Sequence, residues 1–141
     1  MKITIDGKEY SIKFGYKPTL KERILSKVTK LAKINDKDNA DAIDPEKVED
    51  LLIFMPEFLL VGLQVNHEEF RYDYDTHEGK KEKLAMAESL VEKYFEEGGD
   101  CSDLFDVLQG AMIEESFLAA LFRKEQAREA AEQAVETKTE N

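Results

Sequence analysis

The sequence predicts an α+β fold that is mostly α-helical, with an N-terminal β-hairpin packed on a bundle of about four helices. Two features predict it: alternation of apolar and polar residues over 1–14, and apolar residues at helical spacing over most of the later chain. With 141 residues, of which 42% are hydrophobic, the chain is long enough to bury one core. We expect a single globular domain over 1–122, with the hairpin at 1–15 and a helical body at 19–122, then an exposed, charged C-terminal helix or tail at 123–141.

The first fourteen residues have the pattern of a β-hairpin. Ile3 and Ile5 alternate with polar residues, and the same alternation returns over residues 9–14. Between them, Asp6-Gly7 tolerates the positive φ angles of a tight turn. A two-stranded ribbon is marginal alone, so we expect it to pack on a helix or to pair with another strand. Its free edges are also able to pair with a partner chain.

A basic, amphipathic helix follows the hairpin. Thr19, with Glu22 three residues later, has the signature of a capping box, and Pro18 precedes it. These residues predict a helix that starts at Thr19. Its polar side is either a solvated outer face or a surface for nucleic acid or an acidic partner. The basic residues concerned are Lys21, Arg23, Lys27, Lys30 and Lys33.

The centre of the chain predicts a buried helix. Residues 35–44 are polar and aperiodic and are expected to form a linker, and Asp44-Pro45 is a favourable helix start. Residues 51–63 are apolar on nearly all sides, which is typical of a central helix or of one packed against another subunit. We expect Pro56 to kink this helix or to start a new segment.

Two further helices are predicted in the C-terminal half. After a loop at 67–79, the third helix covers about 80–97 and stops at Gly98-Gly99. Asp100 or Ser102 is the expected N-cap of the fourth helix.

The histidines and acidic loops are the first candidates for a metal site. The loop from Asp73 to Gly79 resembles a calcium-binding loop, but its glycine falls one position late and Leu84 stands where a glutamate is needed. His67 and His77 are the only histidines, and nothing in their spacing fixes a ligand geometry. We therefore expect no metal ion, and surface positions for both histidines.

The remaining candidates do not indicate catalysis either. Cys101 lies near a helix N-terminus, but Asp100 and Asp103 flank it and oppose formation of the thiolate. The chain has no P-loop, no dinucleotide-binding glycine pattern and no nucleophile elbow. We expect no catalytic residue and no cofactor, and predict a protein that binds other proteins.

Charge is distributed unevenly along the chain. The net charge is −11, yet residues 1–33 carry nine basic and three acidic side chains, so the remainder is strongly acidic. Opposite charges in the two regions favour attraction within one molecule or between copies, so we expect a homo-oligomer. The acidic bulk argues against nucleic acid as the main ligand.

No apolar run has the length of a membrane span and no signal peptide is visible, so we expect a cytoplasmic protein without membrane contact.

Several segments resemble the tail assembly chaperones of long-tailed phages and prophages of Gram-positive hosts. The likeness covers roughly residues 1–122, while the linker at 35–44 and the loop at 70–79 depart from the pattern. The segments that carry it are MKITIDGKEY (1–10) with KFGY (13–16), LLVGLQ (59–64), VEKYFEEGGD (91–100) and FDVL (105–108).

The resemblance implies a non-enzymatic assembly factor that is left out of the finished virion. Such proteins bind the tape-measure protein, keep it soluble and help to recruit tail-tube subunits, and a longer frameshifted form is typical of the family.

The alternative function is a small nucleic-acid-linked phage or bacterial regulator that uses the basic helix. For the expected contact residues, the alternative is ordinary burial in the core. Those residues are Ile3, Ile5, Phe54, Phe58, Phe117, Leu118, Leu121 and Phe122.

Overall fold

The chain begins with an antiparallel hairpin formed by β1 (Lys2–Ile5) and β2 (Lys8–Ser11). The computed structural model describes residues 1–32, 45–125, 127, 128 and 131, and it is mostly helical. Asp6 and Gly7 both have positive φ angles, 53° and 76°, as the predicted tight turn requires. The apolar face of the hairpin is buried, which confirms the alternation seen in the sequence.

The hairpin packs closely on the end of the central helix, α3 (Pro45–Leu63). The Lys13 N–H donates to the Gly62 carbonyl at 2.9 Å. A Cβ atom at Gly62 would lie 3.0 Å from Ile12 Cγ2 and 3.1 Å from Phe14 Cζ, so glycine permits this close approach. The segment that directly follows β2 is therefore hydrogen-bonded to its own chain here.

Two short helices replace the single basic helix that the sequence predicts. They are α1 (Tyr16–Lys21) and α2 (Ile24–Ala32), and Arg23 between them has a φ angle of +53°. A non-glycine residue in this region interrupts the helical path.

The predicted start at Thr19 is wrong, because Gly15 is the N-cap and Thr19 lies buried within α1. Pro18 fits in the first turn, where its missing N–H has no intrahelical partner. Glu22 is the C-cap residue and is buried against Lys80, so it does not complete a capping box.

The central helix α3 starts at Pro45, as predicted, and is continuous to Leu63. Of the two effects expected of Pro56, the start of a new segment is excluded, because the helix continues through it. The side chains of 54–56 and 58–63 are buried, and this packing offsets the hydrogen bond that proline cannot donate. The predicted linker at 35–44 lies outside the described residues.

A loop with a short 3₁₀ turn at Glu68–Phe70 leads to α4 (Lys80–Glu96) and α5 (Cys101–Glu114). Helical conformation returns in α6 at residues 119–125. The predicted first helix is divided into two, and α6 is separate from α5. The described structure therefore has about six helices instead of the expected four. Most of the predicted C-terminal helix or tail at 123–141 lies outside the described residues.

The core is built around α3, which contacts α2, α4 and α5. Its aromatic centre is Phe58, whose ring centroid lies 5.2 Å from that of Phe14 and 5.7 Å from that of Phe105. The hairpin, α3 and α5 thus share one apolar interior, and the α+β, mostly helical fold is confirmed. Among the described residues, no helix combines the length and the apolar character needed to cross a membrane.

Candidate protein-interaction surface

Five of the eight expected contact residues lie in the core. Ile3, Ile5, Phe54, Phe58 and Leu118 are all less than a tenth exposed. Their burial stabilises the fold of one molecule, which is the alternative that the sequence left open for them. They do not form an accessible surface in this structure.

The other three expected residues lie at or near the surface around α6. Phe117 is 42% exposed and Leu121 is 54% exposed, while Phe122 is half-buried. Phe117 and Leu121 are four residues apart. Phe117 lies in the turn that leads into α6, and Leu121 lies within α6.

Two residues of α1 extend this exposed area, and neither was among the expected contacts. Tyr16 is 68% exposed and Leu20 is 47% exposed, again four residues apart. The Tyr16 ring packs edge-on against Phe117 with centroids 5.4 Å apart, so the two elements form one continuous surface. We call it the α1/α6 surface, defined by Tyr16, Leu20, Phe117 and Leu121.

The signal for this surface is present in the sequence but depends on where α1 begins. A helix that starts at Thr19 leaves Tyr16 outside it and assigns Leu20 to the inward face. A helix that starts at Tyr16 places both residues on one exposed side. The prediction of a capping box at Thr19 therefore leaves Tyr16 and Leu20, half of the α1/α6 surface, out of the predicted surface.

A cleft of about 460 Å³ lies between the end of α5 and α6. Ile113, Ala119 and Phe122 supply its apolar wall. Glu114, Glu115 and Arg123 complete the lining. Phe122 directly follows Leu121, so the cleft adjoins the α1/α6 surface on a neighbouring side of α6.

The basic residues of α1 and α2 are partly neutralised within the molecule. Lys17 and Lys21 both approach Asp75, at 3.8 and 2.9 Å, and Lys27 pairs with Glu57. Each such pair reduces the positive potential available to a phosphate backbone. Of the five basic positions expected for a nucleic-acid surface, Lys21 and Lys27 are thus paired with carboxylates of the same chain. Residue 33 lies outside the described residues.

A buried carboxylate holds the end of α1 to the start of α4. Glu22 is 4% exposed, with His77 Nε2 2.8 Å from its Oε1 and the Lys80 ammonium hydrogen-bonded to its Oε2. Burial alone would raise the pKa of Glu22, but Lys80 and His77 together keep it below its ordinary value. Burial, with the nearby Glu22 charge, raises the pKa of the Tyr72 hydroxyl. The cluster fixes the loop before α4 against α1.

The two histidines and the acidic loop have structural partners. His67 Nε2 accepts a hydrogen bond from the Ser11 N–H at 3.0 Å. Asp73 Oδ1 accepts from the Asp75 N–H at 2.8 Å and so closes a turn of the loop. Among the residues that the structure describes, no three His, Cys, Asp or Glu side chains are grouped so as to hold a metal ion.

Cys101 is half-buried at the first position of α5. Burial, followed by the neighbouring Asp100 carboxylate, raises the pKa of its thiol. A raised pKa disfavours the thiolate, which is the nucleophilic form.

No protein-family model matches this chain, and comparisons with curated proteins and with solved structures also found no match.

Proposed function

We propose that the protein is a non-enzymatic tail assembly chaperone that binds and solubilises the tape-measure protein and helps to recruit tail-tube subunits. The α1/α6 surface is the observation that carries this proposal. It exposes four large apolar side chains on a protein in which 36% of residues are charged. Clustered exposed apolar groups of this kind mark binding sites for other proteins. The sequence resemblance to tail assembly chaperones supplies the identity of the partner.

The geometry of the surface suits a helical client. Tyr16 and Leu20 lie one helical turn apart on α1, while Phe117 lies in the turn before α6 and Leu121 within α6, so the four side chains form two short rows. An amphipathic helix binds by laying its apolar stripe along such rows. The adjoining cleft of about 460 Å³ has room for a large apolar side chain of the client.

The charge of the protein supports the solubilising role. A tape-measure protein is a long helical chain whose bare apolar stripes would aggregate. Covering them with a partner of net charge −11 replaces apolar surface by charged surface and adds repulsion between complexes. We place this activity in the cytoplasm of the host cell and expect the protein to be missing from the mature virion.

Co-expression tests the proposal directly. The tape-measure protein should be encoded beside this chain, next to the tail-tube gene, and should become soluble and co-purify when both are expressed. The double variant Phe117→Ser/Leu121→Ser should lose most of this effect, because it removes one apolar row. Met86→Ser is the matched control, since Met86 is also exposed but lies on α4.

The outcome is read from the soluble fraction of the tape-measure protein. Equal insolubility with and without this chain would contradict the proposal. Unchanged rescue by the double variant would show that the α1/α6 surface is not the binding site.

A further inference from the structure

The two edges of the hairpin differ in what they contact. On the outer edge of β2, the Ser11 N–H donates to His67 Nε2 at 3.0 Å. Just beyond β2, the Lys13 N–H donates to the Gly62 carbonyl at 2.9 Å. The chain thus covers this side of the hairpin itself. The outer edge of β1 is the other side at which a further strand can be added.

The register shows which backbone groups of β1 point outward. The Ile12 N–H donates to the Met1 carbonyl at 2.7 Å, so these two residues form a hydrogen-bonded pair. Hydrogen-bonded pairs alternate along an antiparallel ladder, and the next one contains Ile3. The N–H and C=O groups of Lys2 and Thr4 therefore point away from β2.

These outward groups are open to solvent. Lys2 and Thr4 are both exposed, and within the described part of the chain no group hydrogen-bonds to their backbone from the outer side. At the turn, by contrast, the Asp6 N–H donates to a Glu97 carboxylate oxygen at 2.6 Å. The free edge therefore ends at Asp6, and its length suits a short extended segment.

Acidic side chains border this edge. Met1 lies beside Gly110, since a Cβ atom there would be 3.6 Å from Met1 Cε, and the other end of β1 is next to Glu97. β1 therefore runs past the segment 97–110. Asp103 and Asp106, both exposed, lie seven and four positions before Gly110 and so share its side of α5. The sequence of α5 contains no basic residue that would neutralise them.

We propose that the outer edge of β1 binds an extended, basic segment of a partner protein as an added strand. We call this place the β1 edge site, defined by Lys2, Thr4, Glu97, Asp103 and Asp106. The backbone of the segment pairs with the outward groups of β1, and its Lys or Arg side chains approach the carboxylates. A second copy of this chain is disfavoured here, because it brings its own net charge of −11.

The β1 edge site differs from the α1/α6 surface in the way it recognises a partner. The α1/α6 surface presents apolar side chains, whereas the β1 edge site presents main-chain groups. Main-chain pairing is largely independent of the exact sequence of the added strand, so the charge of the segment supplies the selection. The inference does not depend on the identity of any helical client.

A titration of the full chain with a heptapeptide of alternating Lys and Val tests the proposal by NMR. The amide signals of Lys2 and Thr4 should shift, and their hydrogen exchange should slow. The Ile3 amide, which already faces β2, should change little. A heptapeptide of alternating Glu and Val is the control and should bind roughly tenfold more weakly or less. Unchanged Lys2 and Thr4 signals at millimolar peptide would overturn the proposal.

Methylation of the peptide backbone separates strand addition from simple charge attraction. Only alternate amides of an added strand face β1. N-methylation of either all Lys or all Val residues should therefore abolish binding, and methylation of the other set should be tolerated. Equal effects of the two methylated peptides would overturn the proposal, because charge attraction does not depend on which N–H groups are present.

A substitution on β1 tests the same contact from the side of the protein. Thr4→Pro should weaken peptide binding roughly tenfold, because it removes an outward N–H and no ladder hydrogen bond. Thr4→Val keeps the N–H and should bind like the parent. Thermal unfolding verifies that both variants are folded, and if Thr4→Pro does not fold, the methylated peptides still decide the question.

The contribution of the carboxylates is tested separately. Asp103→Asn/Asp106→Asn should weaken binding roughly threefold or more. Glu49→Gln/Asp50→Asn makes the same change of net charge on exposed positions at the start of α3 and should have a much smaller effect. Equal weakening by both pairs would contradict a local role of the acidic side chains.

Occupation of the edge by a second copy is the remaining alternative. It predicts that exchange of the Lys2 and Thr4 amides slows as the protein concentration rises without peptide. We expect their exchange to be independent of protein concentration, and a dependence would overturn the proposal.

Discussion

Glu22 joins three parts of the chain at one carboxylate: the end of α1, the loop that carries His77, and Lys80 at the start of α4. A buried carboxylate without partners would be costly, and the contacts with the Lys80 ammonium and the His77 ring offset that cost. Since α1 also carries Tyr16 and Leu20, this one side chain helps to hold half of the α1/α6 surface in place.

We expect Glu22→Gln to change how stability depends on pH. The folded-state pKa of Glu22 lies below its ordinary value, so the carboxylate stabilises the fold above about pH 4.3 and this contribution is lost as pH falls through the folded value. Urea unfolding from pH 7 to pH 3 should show a steeper loss for the parent than for the variant. At pH 7 the variant should be less stable by about 1–2 kcal/mol.

Glu88→Gln is the control, because Glu88 is exposed on the same helix as Lys80. Parallel stability curves for the parent and Glu22→Gln would show that the buried carboxylate contributes nothing beyond packing.

At the scale of elements, the junction between α4 and α5 is built from consecutive local signals. The Gly98 N–H donates to the Phe95 carbonyl and the Gly99 N–H to the Tyr94 carbonyl, both at about 3 Å, which is the Schellman pattern. The Asp100 carboxylate then accepts from the Ser102 and Asp103 N–H groups in the first turn of α5. One helix therefore ends and the next begins within a few residues.

Gly98→Ala should destabilise the protein by about 1 kcal/mol, because Gly98 has a φ angle of +91°. Gly110→Ala is the matched control within α5. Its new Cβ would lie 3.6 Å from Met1 Cε, an ordinary contact, and alanine favours the helix by up to about 1 kcal/mol. Thermal or urea unfolding should therefore rank Gly110→Ala at or above the parent and Gly98→Ala below it. The reverse order would contradict the helix-stop assignment.

Elements with local signals could be predicted from the sequence, and those set by distant contacts could not. The Asp6-Gly7 turn, the start of α3 at Pro45 and the cap at Asp100 each depend on a few neighbouring residues. The start of α1 could not be predicted correctly from neighbouring residues. The Glu22 side chain pairs with Lys80, 58 residues away, instead of capping a helix that starts at Thr19.

The α1/α6 surface likewise combines features with local sequence signals and features set by distant contacts. Phe117 and Leu121 could be identified as a patch from their spacing, but their exposure depends on what the fold leaves uncovered. Tyr16 and Leu20 could not be assigned to it without the correct start of α1, and the Tyr16–Phe117 contact joins residues about a hundred positions apart.

At the scale of the whole molecule, the α1/α6 surface joins two distant parts of the chain. Tyr16 and Leu20 belong to α1, whereas Phe117 and Leu121 lie about a hundred positions later. The proposed client site therefore exists only in the folded protein.

The hairpin is synthesised well before the residues against which it docks. The bond from Ser11 to His67 spans 56 positions, and at roughly 5–20 residues per second a ribosome needs on the order of 3–11 s to make them. Until α3 (Pro45–Leu63) has been made within that interval, the apolar face of the ribbon has no helix to cover it. The Asp6-Gly7 turn, which closes locally, then favours pairing of the two strands with each other over pairing with a neighbouring nascent chain.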